Sequence, residues 1–157
     1  MGERAERRAA SHSFVRLVAK EGDVVELQGR EMPKKRILII DDEDDIREVA
    51  QVSLETGAGW EVQTAGSGKE GLEMAVVGQP DAILLDVMMP DMDGPTTYQK
   101  LQARPEISHI PVVLLTAKVQ PADRRRFSSL GVKGVLAKPF DPLTLADQAA
   151  AIIGWQV

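Results

Sequence analysis

The 157-residue chain contains no cysteine, which excludes disulfides, thiolate nucleophiles and cysteine-ligated metals. Its two histidines, His12 and His109, lie far apart in the sequence, which argues against a histidine-based zinc site. Apolar runs are only a few residues long, and no long apolar segment follows the N-terminal arginines. A membrane-spanning helix and a secretory signal are therefore both excluded. These absences predict a soluble, cytoplasmic protein with no membrane partner.

The net charge of −5 is unevenly distributed. Residues 1–33 carry six acidic and six basic side chains, so the other 18 acidic and 13 basic side chains lie in residues 34–157. The only dense basic run is the arginine triplet at 124–126, which the pattern predicts to be a solvated helix face. Direct nucleic-acid binding needs clustered Lys and Arg, so the sequence predicts no direct nucleic-acid partner.

From Lys34 onward, short β-branched and apolar runs alternate with segments of helical spacing. The runs are "RILII", "WEVQTA", "DAILLDV", "IPVVLLTA" and "KGVLAKPF", and a helical pattern follows each of them. Five strands alternating with five helices predict a parallel sheet with helices on both faces. Right-handed crossovers make this a doubly wound five-stranded α/β fold, in which sites lie at the carboxyl ends of the strands.

Three helix starts carry capping signals. Ser67 with Glu70 three residues later forms a capping-box pattern. Asp93 precedes Pro95 in a way that predicts a cap on the helix that follows. Asp141 followed by Pro142 predicts that the last helix begins there, with the proline at its first position.

Residues 1–33 do not share this alternation, and we assign them to an N-terminal extension preceding a domain of residues 34–157. The extension is expected to be poorly ordered or to form a weak hairpin around Gly22, since two strands alone are marginally stable. "MPKKRILIIDD" has the form of a complete domain start, which raises the hypothesis that natural translation begins at Met32. Because the chain ends within the last predicted helix, a stand-alone domain or a fragment of a longer protein is expected.

Polar residues follow four of the predicted strands. Asp41 and Asp42 follow the first, Asp86 ends the third, Thr116 ends the fourth, and Lys138 follows the fifth. The carboxyl ends of parallel strands meet at one rim, so three carboxylates, a hydroxyl and an ammonium group are predicted to converge. Crowded carboxylates repel each other unless a cation or protons intervene, and oxygen-only ligands suit Mg²⁺. Such a site is suited to receiving a phosphoryl group on a carboxylate.

The stretch "DVMMPDMDG" at 86–94 offers more than one candidate nucleophile. "DMDGPTT" is similar to the signature of haloacid-dehalogenase-type phosphatases, in which the first aspartate, here Asp91, would be the nucleophile. That signature must directly follow a buried strand, whereas Pro90 cannot lie in a central strand. Asp86 occupies the strand end instead, which favours Asp86 and leaves the phosphatase as a remote alternative.

The motifs "ILIIDDE", "AILLDVMMPDMDG", "VVLLTA" and "GVLAKPF" together resemble the receiver domain of bacterial two-component response regulators. The resemblance covers roughly residues 34–157 and implies a flavodoxin-like receiver fold. It implies a phosphoaspartate switch and not an enzyme. The only reactions that the domain would promote are its own phosphorylation and dephosphorylation. The phosphoryl donor would be a sensor histidine kinase or a histidine phosphotransfer protein, and the output would be contact with an unidentified downstream protein.

The resemblance also implies a role for each site residue. Asp86 matches the phosphoacceptor and, with Asp42, a direct carboxylate ligand of Mg²⁺. Asp41 would act through water or hydrogen bonds, and the backbone carbonyl of Met88 would be the third protein ligand. Thr116 matches the residue whose hydroxyl moves toward the phosphoryl group. Lys138 matches the lysine that pairs with a phosphoryl oxygen.

Two departures from the family pattern concern the transmission of the signal and the lifetime of the phosphorylated aspartate. Val135 stands where receivers often carry Tyr or Phe, so the aromatic residue that reports phosphorylation is missing. A phosphorylation-independent binding module is therefore the alternative function. Met88 and Lys118 occupy positions that influence access of the hydrolytic water, and the side chain of Met88 has no acceptor to orient that water. Slow self-dephosphorylation is the resulting prediction.

Overall fold

The structure is a computed structural model, and it describes residues 16–20, 23–26, 33–117 and 120–156. Contacts divide the chain into two compact units, residues 1–34 and residues 35–157. None of the helices in the described ranges combines the length and apolar character that a bilayer crossing requires. The unit of residues 35–157 carries the predicted site.

The described residues of the first unit include two short strands, β1 (Arg16–Lys20) and β2 (Asp23–Glu26). They pair in antiparallel fashion, with Leu17 opposite Val25 and Val18 opposite Val24. Glu21, Gly22 and Met32 lie outside the described residues. The assignment of residues 1–33 to an N-terminal extension stays a prediction.

The described part of the second unit contains five strands and five helices that alternate along the chain. The strands are β3 (Arg36–Ile40), β4 (Glu61–Ala65), β5 (Ala82–Asp86), β6 (Val112–Thr116) and β7 (Gly134–Ala137). The helices are α1 (Asp44–Ala58), α2 (Gly68–Gly78), α3 (Gly94–Gln102), α4 (Pro121–Ser128) and α5 (Leu145–Ile153).

All five strands join one parallel sheet in the order β4-β3-β5-β6-β7. The register aligns the carboxyl ends, since Ile40 lies opposite Leu85, Asp86 opposite Leu115, and Thr116 opposite Ala137. This confirms the predicted doubly wound α/β fold. The aligned ends form the rim at which the sequence places its polar residues.

The sheet separates two apolar clusters, because successive strand side chains point to opposite faces. Leu38, Ile83 and Leu114 pack with residues of α2, α3 and α4 on one face. Ile37 and Leu84 point to the other face, among residues of α1 and α5. Both faces are covered, which explains why the central strands are nearly continuous apolar runs.

Two of the predicted helix caps are present. Ser67 caps α2, and its Oγ accepts a hydrogen bond from the N–H of Glu70 at 3.1 Å. The Glu70 carboxylate reaches back to the N–H of Gly66 at 2.7 Å, one residue before the usual capping-box partner. Asp93 caps α3 by accepting from the N–H of Thr96 at 2.9 Å, confirming its predicted role.

The predicted start of the last helix was wrong. Helix α5 begins at Leu145 with Thr144 as its N-cap, three residues after Pro142. The Asp141 carboxylate instead accepts from the N–H of Leu143 at 2.9 Å. Its backbone oxygen accepts from the N–H of Thr144 at 3.1 Å. An aspartate can close a turn on its own following residues, and here that local turn replaces the helix cap.

Candidate functional site at the carboxyl rim of the sheet

Three carboxylates meet where β3 and β5 end. Asp41 directly follows β3 and is completely buried, and Asp86 ends β5 with 3% exposure. Asp42 is exposed at the mouth of the site. One oxygen from each of Asp41, Asp42 and Asp86 can be chosen so that all three lie within 4.8 Å of one another. The structure therefore brings together the three aspartates that the sequence singled out.

Lys138 reaches this cluster from the end of β7. Its backbone N–H donates to the carbonyl of Thr116 at 2.9 Å, which fixes the loop after β7 against the end of β6. Its Nζ lies 2.9 Å from Oδ2 of Asp41, 3.3 Å from Oδ1 of Asp86 and 3.2 Å from Oε1 of Glu43. The Lys138–Pro139 peptide bond is cis. One ammonium group thus links three carboxylates.

Burial shapes the acidity of the central carboxyl group. Burial, followed by the charge of Asp41, raises the pKa of Asp86 from 3.8 to about 6. The charge and hydrogen bond of Lys138, and the N–H of Met88 at 3.4 Å from Oδ1, favour the carboxylate and offset part of that rise. Asp86 is therefore mainly ionised at neutral pH.

The same neighbours act on the lysine. Burial by itself would lower the pKa of Lys138, but the hydrogen bond and charge of Asp41 outweigh it, with further contributions from Asp86 and Glu43. The net result is a pKa above the usual value. Lys138 is therefore a permanent cation at neutral pH, with its charge directed at Asp86.

Thr116 and Met88 complete the set of predicted residues. Thr116 ends β6, is 1% exposed, and lies one residue beyond the partner of Asp86 in the sheet register. Met88 follows Asp86 by two residues, and its side chain is 61% exposed. Together with Asp86 and Lys138 it lines an open pocket of about 300 Å³. Lys118 lies outside the described residues.

The loop after β5 separates the aspartates of residues 86–94. Asp91 is an exposed loop residue with φ of 68°, a left-handed conformation, and it does not leave a strand. Gly94 follows in close contact with the strand end, since a Cβ there would lie 2.4 Å from the carbonyl oxygen of Asp86. The position of Asp91 contradicts the geometry that the phosphatase alternative requires.

The donor set of the pocket fits a hard divalent cation. Asp41, Asp42 and Asp86 offer oxygen ligands of high negative charge, the kind that Mg²⁺ prefers. Lys138 already neutralises part of that charge from one side, and exposed Asp42 leaves the other side accessible. The site is therefore an acidic pocket that can accept a cation beside a buried, ionised aspartate.

Two contributors were missed in the sequence. Glu43 contacts Lys138, and Arg47 donates from Nη1 to the carbonyl oxygen of Asp41 at 2.6 Å. Glu43 is the N-cap residue of α1 and Arg47 lies in its first turn, and no sequence motif assigned either of them to the site. The available signal was Arg47 itself, a lone cation three residues after Asp44, a spacing at which helical side chains meet.

The model of the response regulator receiver domain family matches residues 37–150. The chain belongs to this family. Receiver domains are the signalling modules of two-component response regulators, and the matched region contains every strand and helix of the second unit except the first residue of β3 and the last three residues of α5. The resemblance based on four sequence motifs is thereby confirmed.

Similar proteins include two transcriptional regulators. The receiver domain is 40% identical over 118 residues to the DNA-binding dual master transcriptional regulator RpaA of Synechocystis sp., covering 75% of this chain and 48% of RpaA. It is 37% identical over 119 residues to the alkaline phosphatase synthesis transcriptional regulatory protein PhoP of Bacillus subtilis, covering 76% and 48%. The chain thus spans about half the length of the curated relatives it matches.

Among solved structures, the receiver domain is similar to the chemotaxis response regulator CheY4 of Vibrio cholerae. The TM-score is 0.71 at 31% identity, and the match covers 76% of this chain and 98% of CheY4. This likeness agrees with the flavodoxin-like receiver fold implied by the sequence motifs.

Proposed function

We propose that this receiver domain is a phosphoacceptor in a two-component phosphorelay and that Asp86 receives the phosphoryl group. The observation that carries the proposal is the environment of Asp86. It is a buried carboxylate, it lies in a cluster with two further aspartates, and it is 3.3 Å from a cationic lysine. A single buried nucleophile with a fixed cation beside it is suited to accepting one group and retaining it.

The proposed transfer takes the phosphoryl group from a phosphohistidine of the kinase or phosphotransfer protein. An Asp86 oxygen forms a bond to phosphorus as the phosphorus–nitrogen bond to the imidazole breaks, and the released imidazole takes up a proton from solvent. Lys138 offsets charge on the phosphoryl oxygens, and the Thr116 hydroxyl donates to one of them. Asp86 must be ionised to attack, a condition that its pKa of about 6 meets at neutral pH.

The proposed metal is Mg²⁺, held by the carboxylates of Asp42 and Asp86 and the backbone carbonyl of Met88, with Asp41 acting through water. The clustering of Asp41, Asp42 and Asp86 supports this assignment. When bound, the ion neutralises the negative charge that the phosphoryl group brings to an already acidic pocket. The residues themselves orient the acceptor, since Lys138 and the N–H of Met88 both contact Oδ1 of Asp86.

Intact mass tests the acceptor. The wild-type chain incubated with acetyl phosphate and Mg²⁺ should gain one phosphoryl group, and Asp86→Asn should gain none. Asp91→Asn is the matched control, because it removes the same charge from an exposed position of the same loop. Asp91→Asn should be phosphorylated like the wild type. A gain that persists in Asp86→Asn, or disappears in Asp91→Asn, would overturn the assignment.

The proposed partners are a histidine kinase or a histidine phosphotransfer protein on the input side and a protein target on the output side, in the cytoplasm. The net charge of −5 disfavours direct contact of this domain with DNA.

A phosphorylation-independent binding module is the second candidate, and Val135 is the observation that favours it. This half-buried β7 side chain packs against the apolar cluster beneath α4, at the position where an aromatic residue would report phosphorylation. Amide chemical shifts measured with and without beryllofluoride distinguish the candidates. Shifts that change only in the pocket, with Val135 and α4 unaffected, would favour the independent module.

A further inference from the structure

Arg47 joins two backbone segments that border the acidic pocket. Its Nη1 donates to the carbonyl oxygen of Asp41 at 2.6 Å, and its Nη2 pairs with the carboxylate of Asp44. The loop between β4 and α2 lies against the same guanidinium group, because a Cβ at Gly66 would be 3.3 Å from Nη1. Only 21% of the Arg47 side chain is exposed. This arginine is a packed component of the rim.

The contacts of Arg47 complete the restraint of Asp41. The Oδ1 atom of Asp41 accepts from the N–H of Glu43 at 2.9 Å, and Oδ2 accepts from Lys138 at 2.9 Å. Arg47 holds the remaining acceptor, the backbone carbonyl. All three oxygens of a completely buried residue are thus held in place, and Asp42 follows directly in the same turn.

A restraint is needed here because the turn is unusually acidic. Asp42, Glu43, Asp44 and Asp45 are consecutive and exposed, so their mutual repulsion favours an opened turn. Arg47 opposes that repulsion with a planar group that can satisfy two acceptors at once. A lysine at this position would supply the charge but not the paired geometry.

We propose that Arg47 is a positioning residue of the acidic pocket, which holds the turn of Asp41 and Asp42 so that their carboxylates face Asp86 ready for a divalent cation. The inference rests on the proposed function, since the cation is the Mg²⁺ assigned there. Outer partners that orient metal ligands typically contribute 10-fold to 100-fold to metal affinity. Arg47 acts through the backbone of Asp41 and does not touch the cation.

Positioning and simple charge make opposite predictions, which makes the test decisive. A positive charge beside a cation site repels the cation. If charge were the only effect, Arg47→Gln would bind Mg²⁺ more tightly and Arg47→Lys would bind it as the wild type does. If Arg47 positions the turn, both variants bind Mg²⁺ more weakly. The affinity of Arg47→Gln falls by roughly tenfold, and that of Arg47→Lys by a smaller factor, because a single ammonium group replaces a guanidinium group that donates to two acceptors.

The measurement is titration calorimetry of Mg²⁺ into the full chain without any phosphoryl donor. Arg125→Gln is the matched control, since it removes an exposed arginine of α4 and should leave Mg²⁺ affinity within about twofold of the wild type, as expected for screened surface charges. Amide shifts of Asp42, Glu43 and Gly66 should move in Arg47→Gln and not in Arg125→Gln. If Arg47→Gln does not fold, Arg47→Lys decides alone.

Unchanged or tighter Mg²⁺ binding by both Arg47 variants would overturn the inference while leaving phosphorylation of Asp86 intact. Failure of the wild-type chain to bind Mg²⁺ would overturn the metal assignment of the proposed function, and this inference with it. Binding by Arg125→Gln as weak as that by Arg47→Gln would also overturn it, because the loss of affinity would then not be specific to the residue that holds the turn of Asp41 and Asp42.

Discussion

The Nζ of Lys138 lies 2.9 Å from Oδ2 of Asp41, and this contact crosses 97 residues of sequence. Asp41 is completely buried and only 11% of the Lys138 side chain is exposed, so both charges depend on each other for compensation. Because Lys138 also reaches Asp86, the contact sets the electrostatic state of the proposed phosphoacceptor.

Replacing Lys138 should therefore raise the pKa of Asp86 further. In Lys138→Met the charge and hydrogen bond that favour the Asp86 carboxylate are gone, while burial and Asp41 remain. We expect the pKa of Asp86 to move above 6. A carboxyl-carbon NMR titration measures the change. Lys133→Met removes an exposed lysine just before β7 and should leave the titration as in the wild type; an identical pKa in Lys138→Met would contradict the prediction.

The raised pKa of Asp86 also makes stability depend on pH in a defined direction. A carboxyl group whose folded pKa lies above its unfolded value binds a proton more readily in the folded state, so its contribution is present at low pH and is lost as pH rises through about 6. Asp86→Asn removes this dependence. Its free energy of unfolding relative to the wild type should increase between about pH 4 and pH 8, by at most about 3 kcal/mol.

Urea unfolding at several pH values measures that difference. Comparing Asp86→Asn with the wild type cancels the titration of the carboxyl groups that do not act on Asp86, which both proteins share. A difference that stays constant with pH, or decreases as pH rises, would show that burial does not raise the pKa of Asp86 in the folded protein.

Asp42 provides a test of the cation site that does not involve phosphorylation. Saturation with a ligand that binds only the folded state stabilises it, by about 2.7 kcal/mol at a 100-fold excess over Kd. We expect MgCl₂ to raise the melting temperature of the wild type and to have little effect on Asp42→Asn, which lacks one exposed ligand. Asp45→Asn, an equally exposed acid of α1 outside the carboxylate cluster, should respond like the wild type. Equal responses of the two variants would contradict the proposed ligand.

Sequence reasoning located the strand-end residues because topology dictates them. Once five apolar runs were assigned to one parallel sheet, the residues after each run had to share a rim. The clustering of Asp41, Asp42 and Asp86 and the contact of Lys138 with them follow from that rule. Their chemical roles do not follow from topology, and they stay proposals.

The contacts that could not be predicted from the sequence depend on which of several chemically similar neighbouring residues makes them. Residues 41–45 are all acidic, and only packing selects Glu43 as the N-cap of α1 and as a partner of Lys138. The Arg47 side chain is oriented by the backbone carbonyl of Asp41 and by its packing against Gly66. Neither contact leaves a recognisable pattern in the sequence. At Asp141 the local turn and the helix cap use the same carboxylate, and the sequence pattern does not decide between them.

Met88 carries the last prediction, which concerns how long the phosphoryl group persists. Its side chain is exposed at the pocket that contains Asp86 and Lys138, and a thioether cannot accept a strong hydrogen bond from the attacking water. Met88→Asn places an amide at that position, which should orient the water. We expect phosphorylated Met88→Asn to lose its phosphoryl group about tenfold faster than the wild type, a smaller gain than the 100-fold or more of a positioned general base.

The decay is followed by intact mass after removal of acetyl phosphate. Met88→Leu is the matched control, because it keeps an apolar side chain of similar size and should retain the slow decay of the wild type. Faster loss of the phosphoryl group in both variants would show that its long lifetime in the wild type depends on the shape of the Met88 side chain alone. Equal decay in Met88→Asn and the wild type would show that the side chain at this position does not control access of water to the phosphoryl group.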